Sequence, residues 1–470
     1  MPLPERAPLS GPVSMSIFAR FLMSLVLLSP TVPVSAADVS VADYQSIQAA
    51  IDENPGREIH VPAGDYVIDQ TLRITGSGTA LVGAGRILMT DPGRHIFEIE
   101  HAQNIRLAGL TFTRPEGKMD TTREGILVSD ATEVTLERIR VIDNRSTAGS
   151  IRFSEVRDGK IIDCEVRNYM TISVDDRTAN RALLGYAFRC IDGTGIVCDR
   201  CRGTLIRGNR IVETHLRPTP DIQKQHQLGK FTKKNETKGT LISQEVWDQE
   251  YTGNWHQGSG VIVTGPTQSE LTRIVENQIE NAAQGIDIHA DDVIVANNFV
   301  VNAFIGMKAM HGSRHIVVTG NQFSRCVLWA IGFMPGAASE PAVLPEGDRP
   351  FTPANIDGGS LIANNVISKF GYGDSYWMWK DASRAVFRFD KGQEPTDPPL
   401  RDVLITGNLI ANPDRGELSE EERAVPEFPR YHYAVRIESG AENSPQTLHL
   451  QSNVFPSGVL GVMNVELKKD

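Results

Sequence analysis

The chain has 470 residues, 40% of them apolar and 22% charged, with 47 Lys plus Arg against 58 Asp plus Glu and a formal charge of −11. This composition excludes a disordered chain, a collagen and a multi-span membrane protein. It also disfavours a global grip on a polyanion, so no nucleic-acid partner is expected and an acidic polymer would need a local basic patch.

The first element in chain order is a leader. Arg20 precedes the apolar run Phe21–Leu28, then Pro30, Pro33 and the small residues Val34-Ser35-Ala36. A basic start, an apolar core too short to span a bilayer and a small-residue cleavage site predict a secretory signal over residues 1–36. The mature chain, residues 37–470, is therefore expected to be secreted or periplasmic, with no membrane span. Five cysteines, Cys164, Cys190, Cys198, Cys201 and Cys326, leave an odd number, and the Cys198–Cys201 spacing has no second pair to make a zinc site. Small buried thiols on strands explain them best.

Tyr44–Ile51 has helical spacing and is expected to cap one end of whatever follows. From there a repeat dominates the chain. A β-run, a Gly or Asn turn and a second β-run recur as Leu205–Ile211, Ile274–Ile279, Val293–Phe299, Ile316–Phe323, Leu361–Ile367, Val403–Ile410 and Leu448–Phe455. Asn277, Asn298, Asn321, Asn365, Asn408 and Asn453 mark it, one or two units of about 22 residues apart. Fainter copies run over Ile105–Phe112 and Val134–Val141. Such a period fits a coil of three short strands that buries its inner face only by stacking on neighbours. The asparagines suit left-handed turn positions and a ladder from coil to coil. The predicted fold is all-β, a right-handed single-stranded parallel β-helix with an N-terminal capping helix.

Ile59–Val67, Leu72–Ile74 and Leu81–Arg86 resemble the first coils of the pectin-lyase-like β-helix superfamily. That resemblance spans residues 43–460 and implies a carbohydrate-active protein: polysaccharide lyase, uronan C5-epimerase, glycosidase or non-catalytic binder.

Alternation along the first strand of each coil selects outward residues. In Gly285–His289, Ile286 and Ile288 turn inward, which sends Asp287 and His289 out. The same register exposes Lys308, with His311 just beyond, and aligns Arg152, Asp199, Arg388 and Arg436 on one strip. Asp287 and Lys308, and His289 and His311, should be neighbours on adjacent coils. Residues 213–257 interrupt the repeat and are read as a loop insertion on the binding face, with Tyr251, Trp255 and His256 lining the substrate. A Pro/Gly/Ala-rich insert at 335–353 reads as a plain loop, and Tyr372, Tyr376, Trp377 and Trp379 as a rim.

Gly285–Asp292 is similar to the Asp-Pro-His core of mannuronan C5-epimerases, with Ile288 in place of proline and Gln284 where those enzymes carry a tyrosine. His311–Phe323 resembles a coil of the chondroitinase-B and alginate-lyase family, whose catalytic Lys and Arg align with His289 and Met310. Both resemblances imply proton removal at C5 of a uronate. His289 is the expected base, Asp287 its orienting partner, and Lys308, Arg152 or Arg388 the carboxylate binder. The expected function is a secreted lyase on an acidic polysaccharide. The alternatives are an epimerase, an inverting hydrolase using Asp199, Asp287 or Asp390, and a non-catalytic glycan-binding solenoid. No motif demands a cofactor; Asp175-Asp176 and Asp291-Asp292 supply oxygen donors for Ca²⁺ without an ordered spacing.

Overall fold

The computed structural model describes residues 39–347, 349–374 and 384–466; the leader at 1–36, with Tyr376, Trp377 and Trp379, lies outside the described residues. Three strands make each full coil, as in Ser259–Thr264, Arg273–Val275 and Gln278–Glu280. The next coil repeats them as Gln284–Ile288, Ile294–Ala296 and Phe299–Val301. The first strands stack into one parallel sheet of 12 strands, from Leu72–Ile74 to Gly461–Met463. Second and third strands stack in the same way on the other walls. The result is a parallel β-helix. Its core is the inward half of each alternation: Ile286, Ile288, Val261, Val263, Met307 and Ile331 form one continuous apolar column with no exposed surface. The predicted helix is present at Ile47–Glu53, held by the Ser46 side chain at its N-terminus. It buries Ile47, Ala50 and Ile51 against the first coil.

A hydrogen-bonded column of amides ties the coils together. The Oδ1 of Asn298 accepts from both the backbone N–H and the Nδ2 of Asn277, at 3.0 and 2.9 Å. Asn298 Nδ2 donates in turn to Asn321 Oδ1 at 2.9 Å. The same contact links Asn209 to Asn277, Asn321 to Asn365, Asn365 to Asn408 and Asn408 to Asn453. The ladder asparagines are not themselves in the left-handed region, contrary to the sequence expectation. That conformation falls on the residue before each, from Gly208 at φ +67° and Glu276 at +60° to Asn297 at +56° and Gly320 at +66°. The left-handed residue turns the chain, and the amide after it points inward to receive the bonds. In the earlier coils the same column is apolar, Leu110 then Ile139 then Cys164, and Cys164 N–H donates to Asn209 Oδ1 at 2.9 Å where the amides begin.

The insertion at 213–257 is not a simple loop. Its strand Phe231–Lys234 joins Thr171–Asp176 and Tyr186–Asp192 in a three-stranded antiparallel sheet. A second excursion, at 168–193, thus builds the flap together with the first. Tyr186, Phe188, Cys190, Phe231, Ile242 and Trp247 give it an apolar core of its own. All five cysteines are free and buried.

Replacing Asn298 by Ala should cost about 3 kcal/mol, because it strands buried donors and acceptors on two neighbouring coils. Asn453→Ala, at the ladder's partly exposed end, should cost under about 1 kcal/mol. Urea denaturation of both variants, with unchanged slope, checks this ranking.

Candidate active site

Parallel register stacks Arg152, Val197, Ile262, Asp287, Lys308, Gly332, Arg388 and Arg436 in one outward column. Beside it, Asp199 and Thr264 pair in register, and His289 continues that neighbouring column through its N–H bond to Val263. The predicted juxtapositions hold. Asp287 Oδ2 lies 3.3 Å from Lys308 Nζ, and Asp287 Oδ1 lies 2.9 Å from His289 Nε2. The latter contact is close without the alignment of a good hydrogen bond. The rings of His289 and His311 meet edge to face, 4.5 Å between centroids at 90°.

These groups leave the barrel yet are shielded rather than bathed in solvent. The side chains of Asp287, His289 and Lys308 are 5%, 13% and 17% exposed. Burial alone would raise the Asp287 carboxyl, but the charges of His289 and Lys308 outweigh it and hold the group well below the usual carboxylate range. Burial, then the charges of His289 and Lys308, push His311 down to about 4, so it is neutral at pH 7. His289 Nδ1 lies 3.3 Å from the hydroxyl of Thr264. With Nε2 facing a carboxylate, the lone pair of a neutral His289 falls on Nδ1.

The arginines of the strip flank this centre instead of joining it. Arg152 is three coil steps from Asp287 and Arg388 two from Lys308, about 14 and 10 Å at the backbone. Each already holds an acid: Arg152 pairs with Asp199 at 2.8 Å and Arg388 with Asp390 at 2.7 Å. Arg436 stands 3.8 Å from the same Asp390. The gap over Gly332 is filled by Trp329, whose ring also lies under Arg388 at 4.8 Å.

Three expected binding residues are corrected. Trp255 and His256 are 0% and 1% exposed and cannot stack on a sugar. They form an internal sandwich, Trp255 on His256 at 3.6 Å and His256 on Phe304 at 4.1 Å. Neither His256 nitrogen has a hydrogen-bond partner among the described residues, and burial pushes its basicity well below normal. Tyr251 is half-buried within the flap, its hydroxyl accepting from Gln223 Nε2 at 2.8 Å. Burial pushes that phenol up to about 12. These aromatics precede the first strands they lead into, whereas His289 and His311 follow theirs. The flap is therefore rooted at the opposite edge of the sheet from the imidazoles. Tyr372, expected on the rim, is buried under Arg430, 4.0 Å from its ring.

The candidate Ca²⁺ donors are engaged by protein groups: Asp175 by Arg177, Asp176 by Thr178 and Lys233, Asp291 by Arg314 and Asp292 by His315. No group of three or more His, Cys, Asp or Glu placed to hold a metal occurs among the described residues.

Sequence reasoning missed the 335–357 insert. Far from a plain loop, it is a hairpin with bridges Glu340–Asn355, Val343–Thr352 and Glu346–Arg349, and its stem contacts His311. Only Ser339, Asn355 and Asp357, polar residues among Pro and Gly, hinted at it.

Three outcomes follow. Asp287→Ala strands Lys308 beside a groove without its counter-charge and should cost about 3 kcal/mol; adding Lys308→Met should recover part of it. Because the Asp287 carboxyl is depressed, its stabilisation is complete above the ordinary range near pH 4 and is lost as pH falls. The Tm of the parent should accordingly drop more steeply than that of Asp287→Asn between about pH 4 and pH 2. Separately, His256→Phe removes two desolvated nitrogens at similar volume. It should keep or raise Tm, as measured by thermal melting of the variant and the parent side by side.

No family model and no curated protein matches the chain. Solved structures do. The catalytic domain of a GH87 alpha-1,3-glucanase in complex with nigerose superposes with TM-score 0.54 at 13% identity, covering 91% of this chain and 68% of that one. The Azotobacter vinelandii mannuronan C-5 epimerase AlgE6 A-module gives 0.40 at 12%, over 89% and 99% of the two chains. The alginate lyase AlyF-OU02 in complex with G6 gives 0.44 at 12%, over 91% and 86%. These neighbours are carbohydrate-active proteins, and at such identity the glucanase likeness shows the fold alone, a parallel β-helix.

Proposed function

We propose that the protein is a polysaccharide lyase that cleaves a uronic-acid-containing glycan by β-elimination, acting outside the cytoplasm as the leader at 1–36 suggests. One observation carries the reading: two imidazoles and an ammonium converge around a single carboxylate held ionised, Asp287. These are groups for moving a proton from carbon and for neutralising an adjacent carboxylate.

The acids first considered for hydrolysis fit poorly. An inverting hydrolase pairs an ionised carboxylate with a second carboxyl kept protonated, and Asp287, held ionised, fits only the first of these roles. Register sets the backbone of Asp287 about 12 Å from that of Asp199 and about 16 Å from that of Asp390, wider than the separation of about 6.5–9.5 Å between carboxyl groups that inversion uses, so both side chains would have to lean together.

In the proposed reaction the uronate carboxylate sits at Lys308, whose ammonium has donors to spare beyond the one facing Asp287. His289 Nδ1 takes the C5 proton once the Thr264 hydroxyl has turned away, and Asp287 stabilises the imidazolium that forms. The electron pair moves into a C4–C5 double bond as the C4–O bond breaks. The imidazolium returns the proton to the departing oxygen, so charge and atoms balance. Arg152 and Arg388 serve sugars on either side. Reprotonation of C5 from the other face would give epimerisation from the same centre.

A panel of purified acidic and neutral polysaccharides tests this. A rise in ultraviolet absorbance from the new double bond is expected on a uronan, with at least about a 100-fold loss of kcat in His289→Ala. New reducing ends from a neutral glucan without that absorbance would overturn the reading.

A further inference from the structure

His311 is built into its place with unusual care for a surface turn. Its own backbone is left-handed, φ +64°, a conformation that needs external support in a residue with a side chain. The support comes from the hairpin insert. Ala338 N–H donates to His311 Nδ1 at 3.3 Å, and Asn355 Nδ2 donates to the His311 carbonyl at 2.8 Å. The insert passes so close that a Cβ on Gly336 would lie 2.5 Å from Nδ1. The next two residues are held from beneath by Asp357, which is 1% exposed. Its Oδ2 accepts from Gly312 N–H at 3.0 Å and from the Ser339 hydroxyl at 2.6 Å; its Oδ1 accepts from Ser313 N–H at 3.0 Å. The single hydroxyl proton of Ser313 lies within donating distance of the carbonyls of Met310, at 2.8 Å, and Ile288, at 3.1 Å, the residues flanking the site on two coils.

We propose that the 335–357 insert is a clamp that holds His311 as a neutral imidazole with its proton on Nε2, and that Asp357 is the positioning residue anchoring the clamp. An Nδ1 that accepts a backbone N–H cannot carry the proton, so the neutral ring keeps it on Nε2. That atom has no hydrogen-bond partner among the described residues. The low basicity of His311, caused first by burial and then by the charges of His289 and Lys308, leaves the ring neutral at pH 7. A neutral N–H donor of this sort stabilises negative charge growing on an oxygen without giving up its proton. Its ligand is the uronate carboxylate as it takes on enolate character, opposite Lys308. That last assignment rests on the lyase reading; the clamp itself does not. Asp357 is raised to about 7, by burial first and by the charge of Asp291, against the bonds from Ser339, Gly312 and Ser313. Its anchoring role is therefore set by geometry on both sides of neutrality, as acceptor when ionised and as acceptor and donor when not.

The test is side-chain ¹⁵N NMR of histidine-labelled full-length protein without substrate. The parent should show His311 with bare Nδ1 and protonated Nε2 from about pH 5 to pH 8. Asp357→Ala should mix the two tautomers and move the titration of His311 upward, with Ser339→Ala giving a smaller change in the same direction. Should Asp357→Ala fail to fold, the parent spectrum and Ser339→Ala still decide. An Nδ1–H tautomer in the parent, or His311 signals unmoved in the folded variants, overturns the clamp. On an active uronan, both variants should lose kcat with KM nearly unchanged. A protein that shows the expected spectrum but turns over no uronan leaves the clamp standing and sinks the lyase reading.

Discussion

Everything at the candidate site follows from one constraint: parallel coils stack in register about 4.8 Å apart, so a residue's neighbours are set by its position in the coil, not by the chain between. Asp287 and Lys308 are 21 positions apart in sequence and 3.3 Å apart in space for that reason alone. The column of ladder amides fixes this register. Each side chain accepts two bonds from the coil on one side and donates to the coil on the other, and a slip by one residue would break all of them at once.

The energetic character of the strip is charge balance. Cations run along it, but each that faces the groove has an acid beside it: Asp199 for Arg152, Asp287 for Lys308, Asp390 for Arg388. A carboxylated sugar binding there would share these cations with resident acids rather than meet bare charge. That favours recognition by geometry, a carboxylate slotting among existing pairs, over simple electrostatic capture.

The repeat, the outward column and the two neighbour pairs were legible in the sequence because they depend only on alternation and period. Alternation says which way Asp287 points; period says that Lys308 lies beside it. The inserts were illegible for the same reason, since neither rule operates outside the coils. Trp255 read as part of a sugar platform because aromatics in a loop suggest one, yet its burial with His256 against Phe304 depends on a contact between segments with no repeat to align them. The flap's sheet joins two excursions separated by a whole coil, and the hairpin at 335–357 acts through backbone groups of Ala338 and Gly312 that carry no sequence signature. The left-handed position was misplaced by one residue because Asn is at home both there and in the ladder, and only the backbone distinguishes Asn297 from Asn298.

The amide column also bears on how such a chain changes length over evolutionary time. Because every rung from Asn209 onward presents the same acceptor to one side and the same donors to the other, a segment cut between two rungs leaves matching ends. Gain or loss of one entire turn is thus silent to the column, while a fractional change would misalign every rung beyond it. Natural variants of this protein should accordingly differ by whole-turn quanta within the asparagine half, and by irregular lengths only in the excursions that leave the coil.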